Sequence, residues 1–95
     1  MEMVMTKLYT ILDTKSEVYG KIIEQRNVAE FIRGFQTVVN DGKSSFSQYP
    51  EDFQAFEIGE YDEVTGIIKA YELPKSVCRA IDLKKETPSH IQSVE

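Results

Sequence analysis

The chain has 95 residues, 41% of them hydrophobic and 28% charged, the mix of one ordinary globular domain and not of a disordered or collagen-like chain. Its net charge of −5 argues against a general duplex-DNA coat, which draws its affinity from a strongly basic surface. A single cysteine, Cys78, excludes an internal disulfide and a CxxC zinc site, and is expected as a half-buried small apolar residue.

"MVMTKLYTIL" at 3–12 predicts a strand. Val4, Leu8 and Leu12 share one face with Thr6 and Thr10 between them, while Met5, Tyr9 and Ile11 form a second, partly apolar face. "DTKSE" turns the chain, with Asp13 and Ser16 able to bond nearby backbone. "VYGKII" at 18–23 is short and β-branched, and pairs back as a hairpin whose Gly20 marks a bulge or close backbone approach. Asn27, followed three residues later by Glu30, signals a helix start. Val28, Phe31, Ile32, Phe35, Val38 and Val39 give that helix a broad apolar stripe, with Glu30, Arg33, Gln36, Thr37 and Asn40 toward water. Gly34 within it permits a close approach to the sheet, and "NDG" at 40–42 ends it with the positive φ of Gly42.

Pro50, Glu51 and Asp52 start a single helical turn, after which Phe53 to Tyr61 predicts a third strand with Phe56 and Ile58 on one face. Asp62 and Gly66 bound a tight connection to "IIKAYEL", a fourth strand that Pro74 is expected to stop. The fold class is therefore α+β, a four-stranded antiparallel sheet in the order β-β-α-β-β with one helix packed on one face. Residues 1–73 form the core domain. Residues 74–95 follow as a C-terminal arm and flexible tail, with Val77, Ile81 and Leu83 touching the body and "TPSHIQSVE" frayed.

Charge is unevenly placed along the chain. Residues 1–43 balance six bases with six acids, residues 44–68 hold six acids and no base, and Lys69, Lys75, Arg79, Lys84 and Lys85 then face only Glu72 and Asp82 within 69–85. That basic stretch is the candidate contact for nucleic acid or an acidic partner, set against the commoner solvated lysine face. Glu57, Glu60, Asp62 and Glu63 are the candidate acidic, protein-binding face. Glu51 and Asp52 invite a catalytic acid–base pair, but adjacent acids in a first turn more often satisfy exposed amides and the helix dipole. His90 stands in the expected frayed tail without a fixed carboxylate, and Ser44, Ser45 and Ser47 have no paired histidine. Phe46, Tyr49, Phe53, Phe56 and Tyr61 could stack on bases, yet a stacking platform sits in a basic groove and these rings lie among acids, so core and hairpin packing is the better expectation. No phosphate loop, dinucleotide fingerprint or metal-spaced cluster appears; no catalytic residue, metal or cofactor is expected. No run approaches the roughly 20 apolar residues of a membrane span, and the N-terminus does not read as a signal peptide, so a cytoplasmic chain without membrane contact is expected.

Three stretches together, "KLYTILDTKSEVYG" at 7–20, "NVAEFIRGFQTVVN" at 27–40 and "SFSQYPEDFQAFEIGEYDEVTG" at 45–66, resemble the small nonstructural protein of gokushovirus-type Microviridae, phages with circular single-stranded DNA genomes. The last stretch is the most specific, with its Pro-Glu-Asp-aromatic start, Phe56, Ile58-Gly59, an aromatic-Asp pair and Thr65-Gly66. Tyr49 stands where relatives often carry a histidine before the proline, and the residues after Leu73 match only loosely. The resemblance implies a non-enzymatic accessory protein in the cytoplasm of the infected bacterium, labelled nonstructural or DNA-binding. It implies a role like that of protein C of the isometric phages, favouring single-strand synthesis and packaging over further duplex replication. Its expected partners are single-stranded DNA or the phage replication initiator. The alternative is a protein-interaction module, a homodimer through a sheet edge or a binder of a host factor, without nucleic-acid contact.

Overall fold

The computed structural model describes residues 4–85. Five strands, β1 (Met5–Asp13), β2 (Val18–Tyr19), β3 (Ile23–Gln25), β4 (Phe53–Asp62) and β5 (Ile67–Arg79), form one antiparallel sheet. Its order is β2-β1-β4-β5, with β3 also pairing β1 along the edge that β2 uses. The helices are α1 (Val28–Val39), α2 (Ser45–Gln48) and α3 (Ala80–Leu83), with a 3-10 turn at Pro50–Asp52. The α+β class and the antiparallel sheet are as the sequence predicts.

Local chemistry sets the boundaries. Asn27 Oδ1 accepts from the Glu30 backbone N–H at 2.9 Å, capping α1, and Gly42 takes φ +76 just past its end. Three aspartates shape three turns in the same way: Asp13 Oδ1 accepts from Lys15 N, Asp41 Oδ1 from Lys43 N and Asp62 Oδ1 from Val64 N. The amides of Ser44 and Lys43 hold the Asp41 carboxyl below the usual carboxylate range.

Phe31, Phe35 and Val39 of α1 pack onto Tyr9, Ile11 and Ala55 of the sheet, with Ala80 of α3 completing the buried cluster. Tyr9 and Phe31 stack at 4.3 Å between ring centroids. Phe46 and Phe53 meet edge-on at 4.7 Å, so these two rings are packing, as expected. Cys78 packs half-buried against the same cluster, and burial pushes its thiol pKa up.

Four expectations are corrected. The second strand divides into β2 and β3: from Leu12 to Tyr9 the first strand advances three residues while its partner advances four, from Tyr19 to Ile23. Gly20 lies at that bulge and its N–H donates to Ile11 O. Pro74 does not stop the fourth strand, because Tyr71–Pro74 loop out opposite Ile58 and the ladder resumes at Lys75. Proline is tolerated where no ladder N–H is required. Gly34 makes no close approach, having nothing within 4 Å of where a Cβ would stand. The position that needs glycine is Gly59, where a Cβ would lie 2.7 Å from Lys69 O. Asn40 is half-buried instead of turned to water: its Nδ2 donates to Leu83 O and its Oδ1 accepts from Lys85 N. The part of the expected tail beyond Lys85, with His90, lies outside the described residues.

Candidate functional site

Cross-strand partners share a face of a sheet, so the register sorts every paired residue onto one of two surfaces. Tyr9, Ile11, Ala55 and Cys78 belong to the face that carries the helices. On that same face, farther along the strands, lie Lys7, Glu60 and Lys69 in one row and Glu57 with Lys75 in the next. Two of the acids and two of the bases expected to form separate surfaces thus stand opposite one another.

The close ionic contacts in this group are made by Lys7. Lys7 Nζ donates to Glu60 Oε2 at 2.7 Å and lies 3.8 Å from Glu57 Oε2. The Tyr71 hydroxyl donates to Glu57 Oε2, and Lys75 Nζ sits 4.4 Å from the centroid of the Tyr71 ring. The hydrogen bond to Glu60 raises Lys7 to about 12, and the same bond holds Glu60 below its ordinary value, with Lys69 and Lys75 adding to the effect. Burial, reinforced by Glu57, pushes the Tyr71 hydroxyl up. Tyr9 lies fully buried beside this group, its hydroxyl unpaired among the described residues and its pKa raised to about 12, first by burial and then by Glu57.

The remaining predicted contacts fall elsewhere. Lys84 Nζ donates to Ser47 O at 3.0 Å and Ser47 Oγ at 2.9 Å, which ties α3 to α2. Arg79 is exposed opposite Gln54 on the other face, and Lys85 is exposed at the end of the described chain. Asp62 shares the helix-side face opposite Ile67 and shapes the hairpin turn, while Glu63 is exposed in that turn. Glu51 is exposed in the 3-10 turn, and the Asp52 carbonyl accepts from Thr14 N and Oγ1. Ser44 caps α2 by accepting from Ser47 N, and Ser47 Oγ accepts from Gly42 N. These hydroxyls have structural partners. Among the described residues no group of three or more histidine, cysteine or acidic side chains could hold a metal, and no helix is long and apolar enough to cross a membrane.

The opposite face of the sheet carries the surface that sequence reasoning missed. Along it run Tyr19, Leu12 and Gln54, then Thr10, Phe56 and Ser76, then Leu8, Gly59 and Ala70, then Tyr61 and Ile68. All three helices of the described residues pack on the other side. Tyr19 meets Phe56 edge-on at 5.7 Å, and a hollow of about 210 Å³ opens between Thr10, Tyr19, Ile22, Ile58 and Pro74. Tyr19, Ile22 and Ile68 are 47%, 63% and 59% exposed, which makes this an apolar surface facing solvent. The alternation of Phe56 and Ile58 with Ala55 and Glu57 was the available signal; which side the helix would cover was not.

No curated protein and no solved structure matches the chain. The family model described as Phage ORF5 protein matches residues 6–83, from the first strand through α3. With the match running through the sheet, the helices and both candidate surfaces, the chain belongs to the Phage ORF5 protein family.

Proposed function

We propose that this phage protein is a non-enzymatic accessory factor of the gokushovirus type within the Microviridae, acting in the cytoplasm of the infected bacterium on viral single-stranded DNA replication and packaging. We further propose that it does so by contacting a protein of the replication complex. One observation carries the preference for protein over DNA. Lys69 and Lys75 of the predicted basic stretch stand opposite Glu60 and Glu57 in the sheet, and Lys84 is bonded to Ser47, so acids lie beside the first two and the third is tied into the fold. A basic surface interleaved with acids gains less affinity from a polyanion than a free basic arm does. The non-enzymatic assignment is supported by Glu57 and Glu60, the gathered carboxylates, which are engaged with Lys7 and Tyr71.

The test is retention of the purified replication initiator by the immobilised full-length chain. Retention that survives a rise from low to physiological salt is the expected result. Loss of the initiator, together with salt-weakened binding of a single-stranded oligonucleotide, would overturn it.

Direct contact with single-stranded DNA is the second possibility, favoured by the exposure of Arg79 and Lys85, neither of which stands opposite an acid in the sheet. Replacing Lys75, Arg79, Lys84 and Lys85 together would confuse binding with folding, because Lys75 and Lys84 hold structural contacts. Arg79→Gln with Lys85→Gln is the cleaner variant, and loss of oligonucleotide binding in it would place the contact there.

A further inference from the structure

Charge is sorted between the two faces of the sheet. At registered strand positions Lys7, Asp13, Glu57, Glu60, Asp62, Lys69 and Lys75 all lie on the helix-side face. Among the described residues with a registered partner, the helix-free face holds one acid and one base: Glu24, opposite Leu8, and Arg79, opposite Gln54 in the row of Leu12. An antiparallel sheet with one covered face ordinarily turns its polar alternation toward water. Here the registered positions of the uncovered face are poor in charge, and the two charges they hold stand at its margins.

Those two charges lie at opposite corners. Glu24 is on β3 at one edge and Arg79 on β5 at the other. Four residues along β1 separate their rows, about 13 Å, and three strand gaps separate their columns, about 14 Å, so the patch is nearly square with a diagonal of about 20 Å. A two-fold axis in the plane of the patch, along its other diagonal, places Arg79 of each copy over Glu24 of the other and crosses the strands at nearly a right angle. That is the orthogonal class of sheet packing, and an isologous contact of this kind closes on itself.

We propose that the helix-free face is the interface of a homodimer, occupied by a second copy of this chain, with two Arg79–Glu24 pairs bracketing an apolar centre of Tyr19, Ile22, Phe56 and Ile58. The interface is face to face, distinct from pairing along a sheet edge. It stands independently of the partner proposed above. A heterologous partner would need no matching pair of opposite charges across the patch's own diagonal, whereas a second copy does.

Sedimentation equilibrium of the full-length chain across a concentration series tests this. The expected result is a dimer whose dissociation constant rises at least about 10-fold with Ile22→Glu, a substitution at a side chain exposed in the single chain. Circular dichroism and chemical denaturation confirm that this variant folds. Arg79→Glu and Glu24→Arg each weaken the dimer alone, and together restore it to within about 3-fold of the natural chain, as a charge pair in contact requires. A monomer at every concentration overturns the proposal, as does a dimer indifferent to Ile22→Glu. Failure of the double exchange to restore association overturns the two-fold arrangement.

Discussion

Gly59 shows how one missing Cβ sets the path of two strands. The bulge at Ile58 and the loop at Tyr71–Pro74 bring the β5 backbone over Gly59, so Gly59→Ala must push against Lys69 O, a backbone atom without a flexible end to yield. The expected loss is about 1–3 kcal/mol in urea denaturation. Gly34→Ala, in an open helical position, should instead gain up to about 1 kcal/mol, and the opposite signs separate steric demand from helix propensity. The Lys7–Glu60 contact makes a second prediction, in pH. Glu60 is held below its ordinary value of 4.5, so its contribution is present above that pH and is lost as pH falls through the lowered folded value. Lys7 is raised from 10.5 to about 12, so its contribution is full below 10.5 and is lost as pH rises through 12. Denaturation midpoints of Glu60→Gln should therefore converge on those of the natural chain in acid and separate from them at neutral pH. A constant separation across that range would mean the carboxylate's charge contributes nothing to folding.

At the scale of elements, what could be read from the sequence depended on how local the cause is. Helix α1 was legible from Asn27 to Val39 because its cap and apolar period are written within the segment. Strand β4 was legible to within one residue, since Phe53 follows the Pro50 turn and Asp62 opens the hairpin. The continuation of β5 beyond Pro74 was not, because the bulge that accommodates the proline depends on Ile58 and Gly59 in another strand. The candidate basic contacts were visible as residue types, but their pairing with Glu57 and Glu60 is a matter of register, which no single segment carries. Asn40 is a similar case: a helix-end residue by sequence, it reaches across 43 positions to bond Leu83 O. Asn40→Ala removes that bond and the one from Lys85 N, for an expected loss of about 1–2 kcal/mol. Amides of 80–85 should then exchange hydrogen markedly faster while those of β1 and β4 change only by the global loss. Equal acceleration everywhere would show that α3 does not open as a separate unit.

The whole molecule combines a net charge of −5 with a basic stretch whose Lys69 and Lys75 stand beside acids, and that combination bears on how it can meet DNA. Five cations on a free arm would each displace counterions from a single strand and give a slope of about −3.5 in log K against log salt. The fold places two of them beside acids and ties down a third: Lys69 stands opposite Glu60, Lys75 stands opposite Glu57 and over Tyr71, and Lys84 is bonded to Ser47. Arg79 and Lys85 alone give a slope of about −1.4. Fluorescence anisotropy of the full-length chain with a labelled oligothymidine, repeated from low to physiological salt, measures this directly. A slope near −1.4 or no binding agrees with a molecule whose basic strand residues are interleaved with acids. A slope near −3.5 would require Lys69, Lys75 and Lys84 all to reach phosphate, the first two past the acids beside them, with Lys7 still held by Glu57 and Glu60.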